Sequence, residues 1–249
     1  MALTNEELVA KAKKLRKDTI ELIYQRKQGH SGGAMSIIDV LTYIFGNVLT
    51  KDDKFILSKG HCCVPYFLLL REKGFNPTIM GHPEIDEKNG IHCTTGSLGH
   101  GFPQGVGMAL AKKKKGENGN IYVLLSDAEC QEGTTWESLL IGAQHKLDNI
   151  VMIVDNNHKQ TLGSTDDILS LGNLQEKLKA FNWDAESIDG HSFDEIRKAF
   201  SKPFSGKPRA IVSESIKGKG ISFMEQDYSG WHNAVPSEEQ LKIAQKELA

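Results

Sequence analysis

Apolar segments of strand length alternate with amphipathic helical segments along this chain, and that alternation limits the possible folds more than any other feature. Residues 121–125 and 150–154 are unbroken apolar runs, and a helical pattern over 133–147 separates them. Further strand patterns occur at 54–58, 183–189 and 209–215. Strands that alternate with helices predict a three-layer α/β/α domain built on a mostly parallel, doubly wound sheet.

Helix signals and the absence of linkers indicate the domain organisation. Thr4 and Glu7 have the spacing of a capping box ahead of a long amphipathic helix. No linker, repeat or low-complexity tract interrupts the chain, and no regular pattern is evident beyond about residue 217. We therefore expect residues 1–249 to form one domain with an irregular C-terminal tail from about Lys217.

Small residues form a smooth face on the helix predicted to have the lysine run 112–115 in its last turns. Gly101, Gly105 and Ala109 recur every four residues, which allows another backbone to approach closely. The element on this face is either a neighbouring helix or a second subunit. We expect the chain to expose an apolar surface for a partner protein, around this face or on the helix after Glu132.

Composition excludes several classes of partner. The 30 basic and 32 acidic residues give a formal net charge of -2, which provides no electrostatic case for binding nucleic acid or a membrane surface. No apolar run approaches the length of a membrane span, and the charged N-terminus does not have the pattern of a signal peptide. Four cysteines in 249 residues do not make a disulfide framework. These features favour a reduced, cytoplasmic enzyme.

Polar side chains follow the two long apolar runs. Asp127 comes after the first run, and Asn157 lies 30 residues further on, after the second. One strand–helix–strand unit fits this separation, so the two strand ends can lie side by side at the ligand-binding edge of the sheet. A carboxylate and an amide oxygen suit a magnesium ion that also binds phosphate oxygens. An alternative interpretation is that Asp127 caps a helix and Asn157 lies in a turn. Taken alone, these two residues favour this alternative.

Seven further motifs occur in a defined order. They are "KQGHSGGAMS", "LSKGHCC", "GHPE", "TTGSLGHG", "AECQEG", "IKGKG" and "WHNAVP". With the Asp127–Asn157 pair, they resemble the motifs of the transketolase family over roughly residues 8–236. The chain is similar to the N-terminal subunit of a split transketolase, which carries the diphosphate-binding domain alone.

This resemblance implies a site for thiamine diphosphate and Mg²⁺, for which Ca²⁺ or Mn²⁺ can substitute. The implied metal ligands are the side chains of Asp127 and Asn157 and the main-chain carbonyl of Lys159. The implied cofactor-binding residues are His61, Asn157 and Lys217 at the diphosphate, Gly96, Ser97 and Leu98 at the aminopyrimidine, and Asp127, Ala128, Glu132 and His232. Glu132 would also connect the two active sites of a dimer.

The resemblance also implies an activity and a partner. A two-carbon ketol unit would pass from a ketose, phosphorylated or otherwise anionic, to an aldose. His30, His232 and His82 are the implied catalytic residues, and histidine suits proton transfer because its ordinary pKa lies near neutral pH. A complementary C-terminal subunit would supply the pyrimidine-binding domain and the activating glutamate, in a 2+2 heterotetramer. Two alternatives stay open: another thiamine enzyme similar to deoxyxylulose-phosphate synthase, and a non-catalytic cofactor-binding homologue. The sequence does not identify either sugar.

The chain departs from the family pattern at a few positions. Ser126 and Ala128 replace two glycines, and His100 stands where many members have glutamine. A methyl group at residue 128 would crowd the cofactor unless the backbone shifts. Glu129 has no implied role and is expected on the loop surface or as a helix cap. Three other histidines are expected to be solvated: His145, His158 and His191.

Overall fold

A parallel sheet forms the centre of the computed structural model, which describes residues 2–227 and 230–249. Within these residues the sheet has five strands in the order β1-β2-β3-β5-β4, and every neighbouring pair is parallel. The strands are β1 (Lys54–Leu57), β2 (Ile121–Ser126), β3 (Ile150–Asn156), β4 (Asp184–Asp189) and β5 (Arg209–Glu214). The predicted α/β class and parallel sheet are confirmed.

Helices cover both faces of this sheet. Their bounds are α1 (Asn5–Arg26), α2 (Ser31–Ser36), α3 (Ile38–Tyr43), α4 (Val64–Glu72), α5 (Gly101–Lys115), α6 (Gly133–Gln144), α7 (Thr165–Leu169), α8 (Leu174–Ala180), α9 (Phe193–Phe200), α10 (Ser222–Gln226) and α11 (Glu238–Glu247). Within the described part of the chain, no helix is both long enough and apolar enough to cross a membrane.

Two hydrophobic cores lie on opposite sides of the sheet because side chains alternate along each strand. On β2, Tyr122 and Leu124 belong to the core that α1, α3, α4, α9 and α11 cover. Val123 and Leu125 belong to the core beneath α5, α6 and α8. All six residues of β2 are buried, as expected for a strand covered on both faces.

The predicted start of α1 is confirmed, but the predicted irregular tail is wrong. Thr4 and Glu7 form the capping box at α1. After Lys217 the chain forms α10 and the ten-residue α11, which begins with a second capping box at Ser237. Leu241 is buried where α11 packs on α1, a contact too distant in sequence for the local pattern to reveal. Residues 228 and 229 of this tail lie outside the described residues, and the single-domain assignment stays a prediction.

The smooth face of α5 packs within the chain, so the expectation of an exposed surface there is wrong. A methyl group on Gly101 would lie 2.4 Å from Oγ of Ser58, and one on Gly105 would lie 2.4 Å from Cγ2 of Val123. The glycines therefore let α5 lie directly on β1 and β2. The other expected surface, α6, does expose apolar side chains, with Leu140 60% and Ile141 45% exposed.

Replacement of Gly105 by alanine should lower the free energy of unfolding by about 1–3 kcal/mol, since the added methyl group has no room beside Val123. Gly107 is the matched control: it lies on the same helix, and no described atom is within 4 Å of an added methyl group. Gly107→Ala should therefore leave stability unchanged or raise it by up to about 1 kcal/mol. Urea unfolding followed by circular dichroism measures both. Equal stabilities of the two variants would contradict this packing.

Candidate active site

A cavity of about 240 Å³ opens where the carboxyl ends of the strands meet, the usual ligand position in a parallel sheet. Loops after β1, β2, β3 and β5 form its walls. Its lining residues are His30, Gly33, Lys59, His61, His82, Gly96, Leu98, Ser126, Asp127, Ala128, Asn157, Lys159, Gln160, Thr161, Lys217 and His232. A larger cavity of about 400 Å³ around Phe45, Phe55 and Phe75 contains none of the predicted site residues.

Most of the residues predicted from the sequence come together in this cavity. The catalytic, metal and diphosphate candidates all line it, as do Gly96, Leu98 and Ala128. Ser97 and Glu132 do not line it, and both are exposed. Their predicted roles, at the aminopyrimidine and across a subunit interface, stay predictions.

Asp127 is a buried carboxylate that no cationic side chain of the described residues neutralises. It is 1% exposed and accepts hydrogen bonds from the Ala128 amide (2.8 Å) and the Thr165 hydroxyl (3.0 Å). Within residues 2–227 and 230–249 no lysine, arginine or histidine forms an ion pair with it. Burial, reinforced by the charge of Asp155, raises the pKa of Asp127 to about 6. A bound cation would stabilise the charged carboxylate against both burial and the repulsion from Asp155.

Asn157 is oriented by the neighbouring Asp155. The Asn157 Nδ2 group donates to Oδ2 of Asp155 (2.8 Å), and its Oδ1 accepts from the Lys159 amide (3.0 Å). This arrangement fixes which end of the amide is the acceptor. The preceding Asn156 points elsewhere, because its Nδ2 donates to the Glu214 carboxylate. Of the two asparagines, Asn157 is therefore the one at the site.

A buried ion pair that the sequence did not predict lies beneath the cavity. Lys59 Nζ is 2.5 Å from Oδ2 of Asp155, and both side chains are almost fully buried. Burial alone would lower the pKa of Lys59, but the charge of Asp155, its hydrogen bond with Lys59 and the other nearby acidic groups together outweigh burial and raise that pKa. The signal in the sequence is a lysine two residues before His61, directly after β1. Its partner, 96 residues away, carries no local signal.

Lys217 is a buried cation that no described carboxylate neutralises. It is 4% exposed, and its Nζ lies 3.1 Å from Nδ1 of His232. None of the ion pairs in the described residues includes it. Burial, with the nearby charge of Lys59, lowers the pKa of Lys217 to about 8. An anion in the cavity would stabilise the charged ammonium group.

Histidine rings cluster at the cavity, but not with near-neutral pKa values. His30 lies 5.0 Å from His61, 6.3 Å from His82 and 5.4 Å from His232, measured between ring centroids. Burial lowers the pKa of His30 and of His232 to about 4, with further contributions from the charges of His82 and Lys217 respectively. Both rings are therefore neutral at pH 7. This corrects the expectation that their pKa lies near neutrality.

Glycine is required at residue 96 for the approach of His82. Gly96 has φ of +143°, and a methyl group there would lie 2.7 Å from Cδ2 of the His82 ring. The turn is closed by His100, whose Nδ1 donates to the Leu98 carbonyl (2.9 Å). His100 thus supports the Gly96–Leu98 turn and does not itself line the cavity.

Ser126 and Ala128, which replace two glycines of the family pattern, adopt ordinary backbone conformations. Neither Ser126 nor Ala128 has a positive φ, so the chain here does not need glycine. The Ser126 hydroxyl and the Glu129 carboxylate form a capping box. Glu129 also accepts from the Ser58 hydroxyl (2.5 Å) and the Gly99 amide (3.1 Å). Glu129 is fully buried, so the alternative of a surface position is wrong and the cap is confirmed.

Comparison with known proteins identifies the family. The family description "Transketolase, thiamine diphosphate binding domain" matches residues 5–249. The chain belongs to the transketolase family. It is 37% identical to an apulose-4-phosphate transketolase subunit from Phocaeicola vulgatus, over 98% of this chain and 94% of that protein. It is 36% identical to the 6-deoxy-6-sulfo-D-fructose transketolase subunit SqwG of a Clostridium species, over 97% and 96% respectively.

Solved transketolases share the fold. The transketolase from Leishmania mexicana superposes with a TM-score of 0.88 at 24% identity, covering all of this chain but 42% of that protein. The chain thus corresponds to less than half of a full-length transketolase of this kind, the part that the family description assigns to thiamine diphosphate binding.

Affinity for thiamine diphosphate should decrease as the pH rises above about 8. In the free chain Lys217 loses its proton there, whereas a diphosphate bound beside Lys217, as the sequence predicts, would raise this pKa and favour the charged form. Binding is therefore strongest below pH 8 and weakens by up to about tenfold per pH unit above it. Titration calorimetry between about pH 7.5 and 9 measures this dependence. Lys217→Met is the control, with weaker binding and no such dependence; an unchanged pH profile in that variant would contradict the assignment.

Proposed function

We propose that this chain is the N-terminal subunit of a split transketolase that uses thiamine diphosphate and Mg²⁺. The observation that supports this proposal most strongly is a pair of unmatched charges in one cavity. Among the described residues, the buried Asp127 carboxylate has no cationic partner and the buried Lys217 ammonium group has no anionic one. A metal diphosphate supplies both missing charges together, since the metal would bind at Asp127 and the diphosphate at Lys217.

The chemistry of the donors fits a hard divalent cation. Asp127 offers a carboxylate, Asn157 an amide oxygen and Lys159 a main-chain carbonyl, and all three residues line the cavity. Magnesium prefers such oxygen ligands and completes its shell with phosphate oxygens and water. We assign these three as its ligands, and Ca²⁺ or Mn²⁺ would be accepted by the same oxygens.

The remaining residues would bind the cofactor and handle protons. His61 and Lys217 would bind the diphosphate, and the Gly96–Leu98 turn would bind the aminopyrimidine. When bound, thiamine diphosphate supplies the carbanion chemistry that breaks and forms the carbon–carbon bond. His30, His82 and His232 line the same cavity, and we assign them to the binding of the sugar. As neutral imidazoles, His30 and His232 each carry one N–H donor, which suits them to orient the sugar, and the acceptor nitrogen of His30 suits it to take a hydroxyl proton.

His232 is held in one tautomer. The Lys217 ammonium donates to Nδ1 of His232, so the ring proton lies on Nε2, 2.9 Å from the Thr161 hydroxyl. A hydrogen-bond donor is therefore directed at the loop that follows β3, on the wall of the cavity. We infer that a sugar hydroxyl or carbonyl takes this position in the reaction.

A second subunit is needed to complete the site. The cavity of about 240 Å³ is smaller than the pockets of about 300–1,000 Å³ that enclose drug-sized ligands. The two relatives named above are themselves called transketolase subunits. We propose that a C-terminal subunit covers the pyrimidine half, in a 2+2 heterotetramer that functions in the cytoplasm. Exposed apolar side chains available for contact with other subunits are Leu140 and Ile141 of α6, Leu162 (86% exposed), Ile168 and Leu169.

The substrate class follows from the relatives. Their names refer to a sugar phosphate and a sulfonated sugar, both anionic. We propose an anionic ketose as donor and an aldose as acceptor. A deoxyxylulose-phosphate-synthase-like activity has less support, because His30, His82 and His232 converge on one cavity. The non-catalytic alternative also has less support, because it relied only on Ser126 and Ala128, and neither residue has a positive φ.

Asp127→Ala should raise the dissociation constant for thiamine diphosphate in the presence of Mg²⁺ by at least about 10–100-fold, because a charged metal ligand is lost. The chain should stay folded, with equal or higher stability without ligand, since an unpaired buried charge has been removed. Titration calorimetry and circular dichroism measure the two effects. Glu117→Ala, which removes an exposed carboxylate after α5, is the control. Wild-type affinity in the Asp127 variant would refute the proposed metal site.

A further inference from the structure

His191 is not solvated as the sequence suggested. Its side chain is 10% exposed and lies against Asp39, which is 152 residues away in the chain. His191 lies just after β4, and Asp39 is buried in α3. A contact between residues so far apart in the chain leaves no local pattern in the sequence. The predicted loop position of His191 suggested instead that its side chain is exposed to solvent.

Three residues form a buried hydrogen-bonded chain at this place. Both Nη groups of Arg16 donate to the Asp39 carboxylate, at 2.9 and 2.5 Å. Asp39 Oδ2 also lies 2.7 Å from Nδ1 of His191. Burial alone would raise the pKa of Asp39, but the hydrogen bonds from His191 and Arg16 outweigh it and lower that pKa. Asp39 is therefore a charged carboxylate with two firm partners.

The backbone of Ile216 determines the tautomer of His191. The Ile216 amide donates to Nε2 of His191 (2.9 Å), so this nitrogen carries the lone pair. The ring proton must then lie on Nδ1, from which it is donated to Asp39. A carboxylate that fixes the tautomer and orientation of a histidine is a common device behind functional sites.

The same chain of contacts holds the backbone on both sides of Lys217. His191 binds the amide of Ile216, immediately before it, and Arg16 Nε donates to the carbonyl of Lys219 (3.1 Å), two residues after it. Between these points the Gly218 amide donates to the Gly32 carbonyl (2.9 Å). Gly218 itself has φ of +85°, which glycine tolerates and which makes the turn tight.

We propose that His191 is a positioning residue for the diphosphate site: charged Asp39 orients it, and through the Ile216 amide it fixes the backbone from which Lys217 reaches into the cavity. Arg16 holds the other side of Lys217 through the Lys219 carbonyl. We call these two contacts, from His191 to Ile216 and from Arg16 to Lys219, the clamp. The inference rests on the proposed function in assigning Lys217 to the diphosphate. The clamp itself is a property of the fold and can be tested without ligand.

The test compares His191→Phe with His191→Gln in the full-length chain. Phenylalanine keeps a ring but removes both nitrogens, whereas the glutamine Oε1 can replace Nε2 as acceptor for the Ile216 amide. Hydrogen exchange of residues 216–219 should become at least about tenfold faster in the Phe variant and recover in the Gln variant. Should the Phe variant not fold, His191→Asn, whose shorter side chain leaves the Ile216 amide without an acceptor, takes its place.

Ligand affinity then shows whether the clamp acts through Lys217. His191→Phe should raise the dissociation constant for Mg²⁺–thiamine diphosphate by about 10–100-fold. In a Lys217→Met background the same substitution should have no further effect, because coupled residues are not additive. Gly105→Ala, which destabilises the opposite core, controls for a general loss of stability and should leave the affinity unchanged.

The results of these measurements distinguish the clamp itself, its action on Lys217 and the proposed function. Unchanged exchange at residues 216–219 would overturn the clamp. An equal effect of His191→Phe with and without Lys217 would overturn its action on that residue. If the wild-type chain does not bind Mg²⁺–thiamine diphosphate either alone or together with its C-terminal subunit, the proposed function fails, and the exchange measurement still decides whether His191 holds the segment.

Discussion

The buried ion pair between Lys59 and Asp155 is the contact on which the geometry of the site depends. Asp155 also accepts hydrogen bonds from Ser36, Ser215 and Asn157, at 2.8, 2.5 and 2.8 Å. These partners come from α2 and from the loops after β5 and β3, so one carboxylate connects most of the segments that form the cavity. Loss of either charge would leave the other buried and unpaired, which typically costs about 3–5 kcal/mol.

Because Lys59 and Asp155 neutralise each other, the buried charges that remain are the ones that support the proposed ligand. Asp127 and Lys217 are both buried in the same cavity, and neither has a partner of opposite charge among the described residues. Burial raises the pKa of the first and lowers the pKa of the second, as expected for groups that lack a counter-ion. A metal diphosphate matches the two together, whereas a simple anion or a simple cation would match one of them.

Local patterns in the sequence were sufficient for the elements and for the residues at strand ends. The apolar runs that became β2 and β3 brought Asp127 and Asn157 to one edge of the sheet, as predicted. Contacts between distant segments were not accessible in this way. The partner of Lys59, the buried position of His191 and the packing of α11 on α1 all depend on side chains that meet only in the folded chain. The protonation of the site histidines was also not accessible from local patterns. It depends on burial in the folded chain, which makes His30 and His232 neutral at pH 7.

This chain is proposed to contain one half of a transketolase site. The most direct test is to purify the chain alone and together with a complementary C-terminal transketolase subunit. Ketol transfer from an anionic ketose to an aldose is then measured with thiamine diphosphate and Mg²⁺. Transfer by the pair, with none by either chain alone, is the predicted result. Full activity of this chain by itself would contradict the account.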